Sequence, residues 1–206
     1  EKVPLAELEE VWFLENLAKS HKVYEFIKRP IEVFLATILS IILLPLAIII
    51  GILVSITSKG PALFQQKRKG KNEQEFTIYK FRTMRVDAEK QGPQWAQPGD
   101  QRATWLGKIL RRSHLDELPQ LINIIRGDLS FVGPRPERPE FVAQLKKDVP
   151  YFELRLLVRP GITGWAQINY KYGASIEDTY EKLQYDMTYL KHRSLLFDAL
   201  IVLRTI

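Results

Sequence analysis

The chain of 206 residues carries 30 Lys and Arg against 24 Asp and Glu, a formal net charge of +6, with 46% apolar residues and no Cys. That hydrophobicity excludes a disordered chain. The missing Cys excludes a disulfide framework, a thiol nucleophile, an iron–sulfur cluster and any Cys-based zinc site.

In chain order, residues 7–27 set Leu8, Val11, Trp12, Leu14, Leu17, Val23, Phe26 and Ile27 at helical spacing with Lys on the other face. This predicts a helix lying on a membrane surface or packed on a missing domain. Residues 28–58 read as a membrane segment. From 33 to 58 no side chain is ionisable, and this run of about 26 residues exceeds the ~18 that mark a membrane helix. Pro45 sits near its middle, where it deletes a backbone hydrogen bond and bends the helix. Lys19, Lys22, Lys28 and Arg29 precede the run, and Lys59, Lys67, Arg68, Lys69 and Lys71 follow it. A single span normally has its basic residues on one side only. Two readings stay open: a re-entrant hairpin broken at Pro45, each half reaching about 18 Å, or a kinked helix that crosses.

Residues 59–206 read as a globular region. Residues 76–81 alternate and carry β-formers, predicting a strand. Residues 86–103 are polar and hold Gly92-Pro93 and Pro98-Gly99, a long loop of the kind that carries function. Helices are expected at 105–112, about 118–125, 138–157 and 175–192, with irregular turns at 133–136 and 159–161. Residues 195–206 are apolar but too short to span, and are expected to pack on the domain or lie in the membrane interface. The fold class is therefore α/β, helix-rich with a small sheet, together with the membrane segment and amphipathic interfacial helices.

Asp116 and Glu117 lie just before Pro119. Because Pro suits the first turn of a helix, the pair belongs near a helix N-terminus, where an ionised carboxylate is favoured as ligand or nucleophile. Arg111 and Arg112 lie about a turn back, Lys80, Arg82 and Arg85 border the predicted strand, and Arg135 stands between two prolines. Arginine on a stiff turn loses little entropy when it forks onto phosphate. Two acids among these cations point to Mg²⁺ and a phosphate-bearing substrate. His21, His114 and His192 lack metal-ligand spacing, although His114 neighbours the acids. No P-loop or dinucleotide fingerprint occurs. Nothing marks a nucleic-acid partner, and anionic lipid accounts more simply for the basic surplus.

Four segments, KFRTM (80–84), LDELPQ (115–120), RGDLSFVGPRP (126–136) and RPGITGWAQ (159–167), resemble the bacterial sugar transferase family, the monotopic polyprenyl-phosphate phosphoglycosyl transferases. The resemblance runs in order from about Lys28 to the C-terminus. It implies transfer of a sugar 1-phosphate from a nucleotide diphosphate sugar, a UDP-hexose by likeness to exopolysaccharide-type priming enzymes, to undecaprenyl phosphate with release of UMP. It further implies that Asp116 is the nucleophile and Glu117 its support, both at Mg²⁺. Lys80, Arg82, Arg111, Arg112, Arg135 and Arg159 are placed at the substrate. Pro45 is matched to the break of a re-entrant helix, and residues 1–27, a surface or linker helix, to the tail of the N-terminal part that larger members of the family carry. The implied location is the bacterial inner membrane, with a catalytic domain over 59–206 facing the cytoplasm and the bilayer as partner; a homo-oligomer is left open. The rival reading is a non-catalytic membrane-bound scaffold of polysaccharide assembly.

Overall fold

The computed structural model describes residues 2, 22–90, 92, 100–170 and 175–205. Most of the helix expected over 7–27, the centre of the 86–103 loop and the end of residue range 195–206 lie outside the described residues.

Helix α1, Lys22–Thr57, is one 36-residue helix that runs through both Pro30 and Pro45. The division expected between residues 27 and 28 therefore falls inside it. Among the described residues this is the one helix long and apolar enough to cross a membrane by length and composition. Lys28, Glu32 and Ala36 are buried at one end and Ile50 and Val54 at the other, on one stripe of the helix. Between them stand exposed Ile38, Leu39, Ile41, Ile42, Leu44, Leu46, Ile48 and Ile49.

Strands β1, Leu63–Lys69, and β2, Glu75–Phe81, form an antiparallel ribbon with Leu63 opposite Phe81 and Lys69 opposite Glu75. The expected strand is β2; β1 escapes sequence reading because Gln65, Gln66, Lys67, Arg68 and Lys69 give no apolar alternation. Helix α2, Trp105–Arg112, is capped by Thr104, whose hydroxyl accepts from the Gly107 amide at 2.9 Å. After it come a 3₁₀ turn, Leu115–Gln120, and helix α3, Leu121–Arg126. Strand β3, Ser130–Val132, pairs in parallel with β4, Gly161–Thr163. Between them lie helix α4, Pro139–Asp148, and a 3₁₀ turn, Phe152–Leu157, so the single helix expected over 138–157 is interrupted. The interruption falls where Pro150 disfavours helix at Val149 and Tyr151 takes a left-handed conformation. Helices α5, Trp165–Asn169, α6, Ile176–His192, and α7, Leu195–Thr205, complete the chain. A capping box at Ser175 and Asp178 starts α6.

Three apolar clusters hold these elements. The largest joins α4, α6 and α7 around Phe152, Leu183, Met187, Leu190 and Ile201. A second packs Ala36 of α1 on Ile78, Leu121, Ile124 and Leu129. A third packs Ile50 and Val54 of α1 on Phe81, Leu106 and Leu110. The apolar helix thus rests on β2 at both places, joined by α3 near Ala36 and by α2 near Ile50 and Val54.

Polar side chains fix the two ends. Lys28, buried, donates to the Val132 carbonyl at 2.9 Å and pairs with Asp198 of α7 at 2.8 Å, with Tyr24 and Tyr189 completing the cluster. Arg82, also buried, donates to the carbonyl of Ser58 at 2.7 Å and to its hydroxyl at 2.9 Å. Helix α7 packs through Phe197 and Ile201 and leaves Leu196 and Leu203 exposed.

Candidate active site

The acidic pair sits in the first turn of the 3₁₀ segment Leu115–Gln120, directly ahead of α3, rather than in an α-helical N-terminus. His114, with φ of 55°, turns the chain sharply between α2 and this segment. Asn123 then docks the segment on β2: its amide nitrogen donates to the Thr77 carbonyl at 2.7 Å and its oxygen accepts from the Tyr79 amide at 3.2 Å. A polar residue inside the apolar run LINII was the available signal for this contact. Docking in this register brings Lys80 of β2 to Glu117, Nζ to Oε1 at 2.6 Å.

Arg135 lies 3.7 Å from the same Glu117 oxygen. Its turn is built between β3 and β4, where Gly161 donates to the Pro134 carbonyl at 2.9 Å. The approach is so close that a Cβ on Gly161 would lie 2.1 Å from the Gly133 nitrogen, so only glycine fits there.

The two neighbouring carboxylates differ. Burial would raise Glu117, but Lys80 and Arg135 outweigh it and hold the group down at about 2. Burial raises Asp116 above the ordinary carboxylate value, with Glu117 adding to the effect and Lys80, Arg111 and His114 opposing it. No hydrogen bond to the Asp116 carboxylate is found among the described residues. Lys80 is itself lowered by burial and by Arg135, against the pull of the two acids.

Both acids line a cleft of about 1450 Å³, together with Lys80, Arg82, Arg111, Arg112 and Arg135. Of the eight residues assigned from sequence to substrate or catalysis, the fold gathers seven here. Arg111 is steadied by Thr83, Nε to Oγ1 at 2.8 Å, and Arg112 is exposed. Arg82 lines the wall while fastening the end of α1. Arg159 is not brought to the acids: it pairs with Glu25 of α1 at 2.8 Å, outside the cleft. The cleft adds Arg68 and Arg138, which sequence reasoning passed over. Arg138 follows the Pro-Arg-Pro turn by two residues and is clamped by Glu89 at 2.8 Å.

A family profile described as bacterial sugar transferase matches residues 23–206, and the chain belongs to that family. It is 44% identical, over 89% of its length, to a UDP-N-acetylgalactosamine-undecaprenyl-phosphate N-acetylgalactosaminephosphotransferase of Aeromonas hydrophila, covering 44% of that protein. It is 38% identical, over 89% of its length, to the UDP-glucose:undecaprenyl-phosphate glucose-1-phosphate transferase of Escherichia coli K12, covering 40% of it. With the exopolysaccharide production protein PSS of Rhizobium leguminosarum bv. phaseoli it shares 34% identity over 87% of this chain and 93% of that one. The chain thus spans less than half the length of the first two relatives.

Proposed function

We propose that this chain is a phosphoglycosyl transferase that moves a sugar 1-phosphate from a UDP-sugar to undecaprenyl phosphate through an aspartyl intermediate. One observation carries the reading: Glu117 is locked by two cations, while its neighbour Asp116 faces the same cleft with its carboxylate uncommitted and more basic than usual. Greater basicity makes a better nucleophile, and a fixed neighbour keeps the surrounding cations in place.

In the first half-reaction the donor diphosphate lies among Lys80, Arg111, Arg112 and Arg135, which offset the repulsion between an anionic nucleophile and an anionic substrate. An Asp116 oxygen bonds to the β-phosphorus as the bond to the bridging oxygen breaks, and UMP leaves with that electron pair. In the second, an oxygen of the lipid phosphate attacks the same phosphorus and Asp116 departs as carboxylate. The relatives' names divide between glucose and N-acetylgalactosamine. The donor is therefore assigned as a UDP-linked hexose or its N-acetylamino form.

Among the described residues no group of three or more His, Cys, Asp or Glu could hold a metal. Two carboxylates still suit Mg²⁺, which is commonly held by one or two of them plus substrate phosphates. Asp116 and the Glu117 oxygen not bonded to Lys80 would hold it, and bound there it would neutralise charge on the diphosphate.

The apolar helix is assigned as re-entrant, although it runs through Pro45 as one helix and not as the hairpin expected to break there. A crossing helix would carry its ends to opposite faces of a hydrocarbon layer ~30 Å thick, whereas Lys28 and Ser58 here fasten to one domain. Exposed Trp105 and Ile109 of α2, with Leu196 and Leu203 of α7, supply apolar side chains for the same interface. The catalytic domain then faces the cytoplasm, where UDP-sugars are made.

The test incubates the protein in lipid nanodiscs with Mg²⁺ and UDP-glucose, UDP-galactose or UDP-N-acetylgalactosamine, without lipid acceptor. One donor should release a single equivalent of UMP and leave a phosphosugar on Asp116, detected by mass spectrometry. Release of UMP only after undecaprenyl phosphate is added, with no adduct, overturns the mechanism.

A further inference from the structure

The backbone of the Pro-Arg-Pro turn is held at every carbonyl. Pro134 accepts from the Gly161 amide at 2.9 Å, Pro136 from Arg68 at 2.9 Å and Glu137 from the Lys69 amide at 2.9 Å. The carbonyl of Arg135 itself accepts from a side chain, Arg155 of the Phe152–Leu157 turn, at 3.0 Å. That guanidinium is held by Asp186 on α6: its Nε and the same Nη2 that donates to the Arg135 carbonyl both reach one Asp186 oxygen at 2.9 Å. Its remaining nitrogen lies 3.6 Å from Glu137. Arg155 also stacks over Phe152, and only 7% of its side chain and 2% of that of Asp186 are exposed. Neither group lines the cleft, and every nitrogen of Arg155 is already engaged.

A buried ion pair is weak support for stability as such, because desolvation offsets most of its attraction. Buried between α6 and the turn, this pair instead ends on the backbone of Arg135, the arginine that pairs with Glu117. With no N–H at Pro134 or Pro136, the turn is held from its carbonyls, and the one at Arg135 sets where its side chain emerges.

We propose that Arg155 and Asp186 are positioning residues for Arg135, fixing the turn so that its guanidinium meets the substrate phosphate beside Glu117. The inference rests on the reading of Arg135 as a phosphate-binding residue given above. Arg155 touches no substrate; it acts through the Arg135 carbonyl, and Asp186 acts through Arg155.

The experiment is a double-mutant cycle on the full chain in nanodiscs, with UMP release from the donor as readout and rates normalised to folded protein. Asp186→Asn and Arg155→Lys should each lower kcat/KM for the donor by about tenfold, the scale on which members of one hydrogen-bond network couple. In the Arg135→Ala background neither should cost more than about twofold, since the group they position is gone. Losses that multiply with Arg135→Ala overturn the inference alone. Full activity of Arg135→Ala by itself overturns the underlying reading and the inference with it. If Asp186→Asn does not fold, Arg155→Lys, which keeps the charge pair and loses the fork, decides by the same comparison.

Discussion

Adjacent carboxylates 116 and 117 should respond in opposite senses to loss of charge. Glu117→Gln removes the counter-ion of Lys80, a pair 2.6 Å apart whose side chains are 16% and 13% exposed. Glu117 is held at about 2 against an ordinary 4.5. At about 1.4 kcal/mol for each tenfold change in proton affinity, that is about 3 kcal/mol. Removing one partner of a buried ion pair independently costs roughly 3–5 kcal/mol. For a chain of this size about 3 kcal/mol lowers the thermal midpoint by roughly 6–12 °C. The sign with pH follows: a carboxylate lowered in the folded state contributes stability above about 4.5 that is lost as pH falls toward about 2. Asp116→Asn does the reverse. A carboxylate raised by burial opposes folding when ionised, so the neutral amide should leave the midpoint at pH 7 unchanged or higher while abolishing UMP release. Thermal unfolding of the nanodisc-bound protein, followed by fluorescence of its four Trp, reads both. An unchanged midpoint for Glu117→Gln, or a drop of more than about 4 °C for Asp116→Asn, would refute the division of roles between them.

Four further outcomes are expected. In the protein without Mg²⁺ or donor, Asp116 should titrate above 3.8, the ordinary value, when followed by carboxyl NMR; a titration at or below it contradicts the role proposed for Asp116. Lys28→Met leaves Asp198 buried without its cation and should destabilise by about 3 kcal/mol, with Lys28→Met/Asp198→Asn milder than the single variant in urea unfolding. Gly107→Ala would set a Cβ 2.0 Å from the Thr83 carbonyl oxygen, so α2 cannot seat on β2 without moving; a loss of roughly 1–3 kcal/mol or more is expected in the same assay. In the Cys-free chain, Val23→Cys and Lys59→Cys should react with an impermeant maleimide from one side of oriented vesicles, and labelling from opposite sides would establish a crossing helix.

Much of the site was legible because its chemistry is local. The alternation of 76–81 marks β2, and the proximity of Asp116 and Glu117 to Pro119 marks an element start, whichever helical type it adopts. What stayed hidden depends on distant partners. The basic stretch 63–69 is a strand only because β2 pairs with it. Arg159 sits in a motif as distinctive as that of Arg135, yet Glu25, 134 residues away, takes it out of the cleft. Lys28 looks like an ordinary basic flank until the fold buries it against Asp198. Residue type and spacing name a side chain's chemistry, and only the packing of remote elements decides where it is spent.

On the function proposed above, the joint between the apolar helix and strand β2 explains why such a site belongs on this scaffold. Arg82 and Lys80 lie two residues apart along β2 and its continuation, about 6.6 Å along the strand and on one face. One is fastened to Ser58 at the end of α1 and the other to Glu117. Placed in a bilayer as proposed, the apolar helix would therefore set the height of the acids through a few rigid contacts. An acceptor phosphate on a long prenyl chain stays at the bilayer surface, since each CH₂ drawn into water costs about 0.8 kcal/mol. On the mechanism proposed above, Asp116 must be presented at that height, and a re-entrant helix anchored to one domain at both ends would hold it there without a flexible linker.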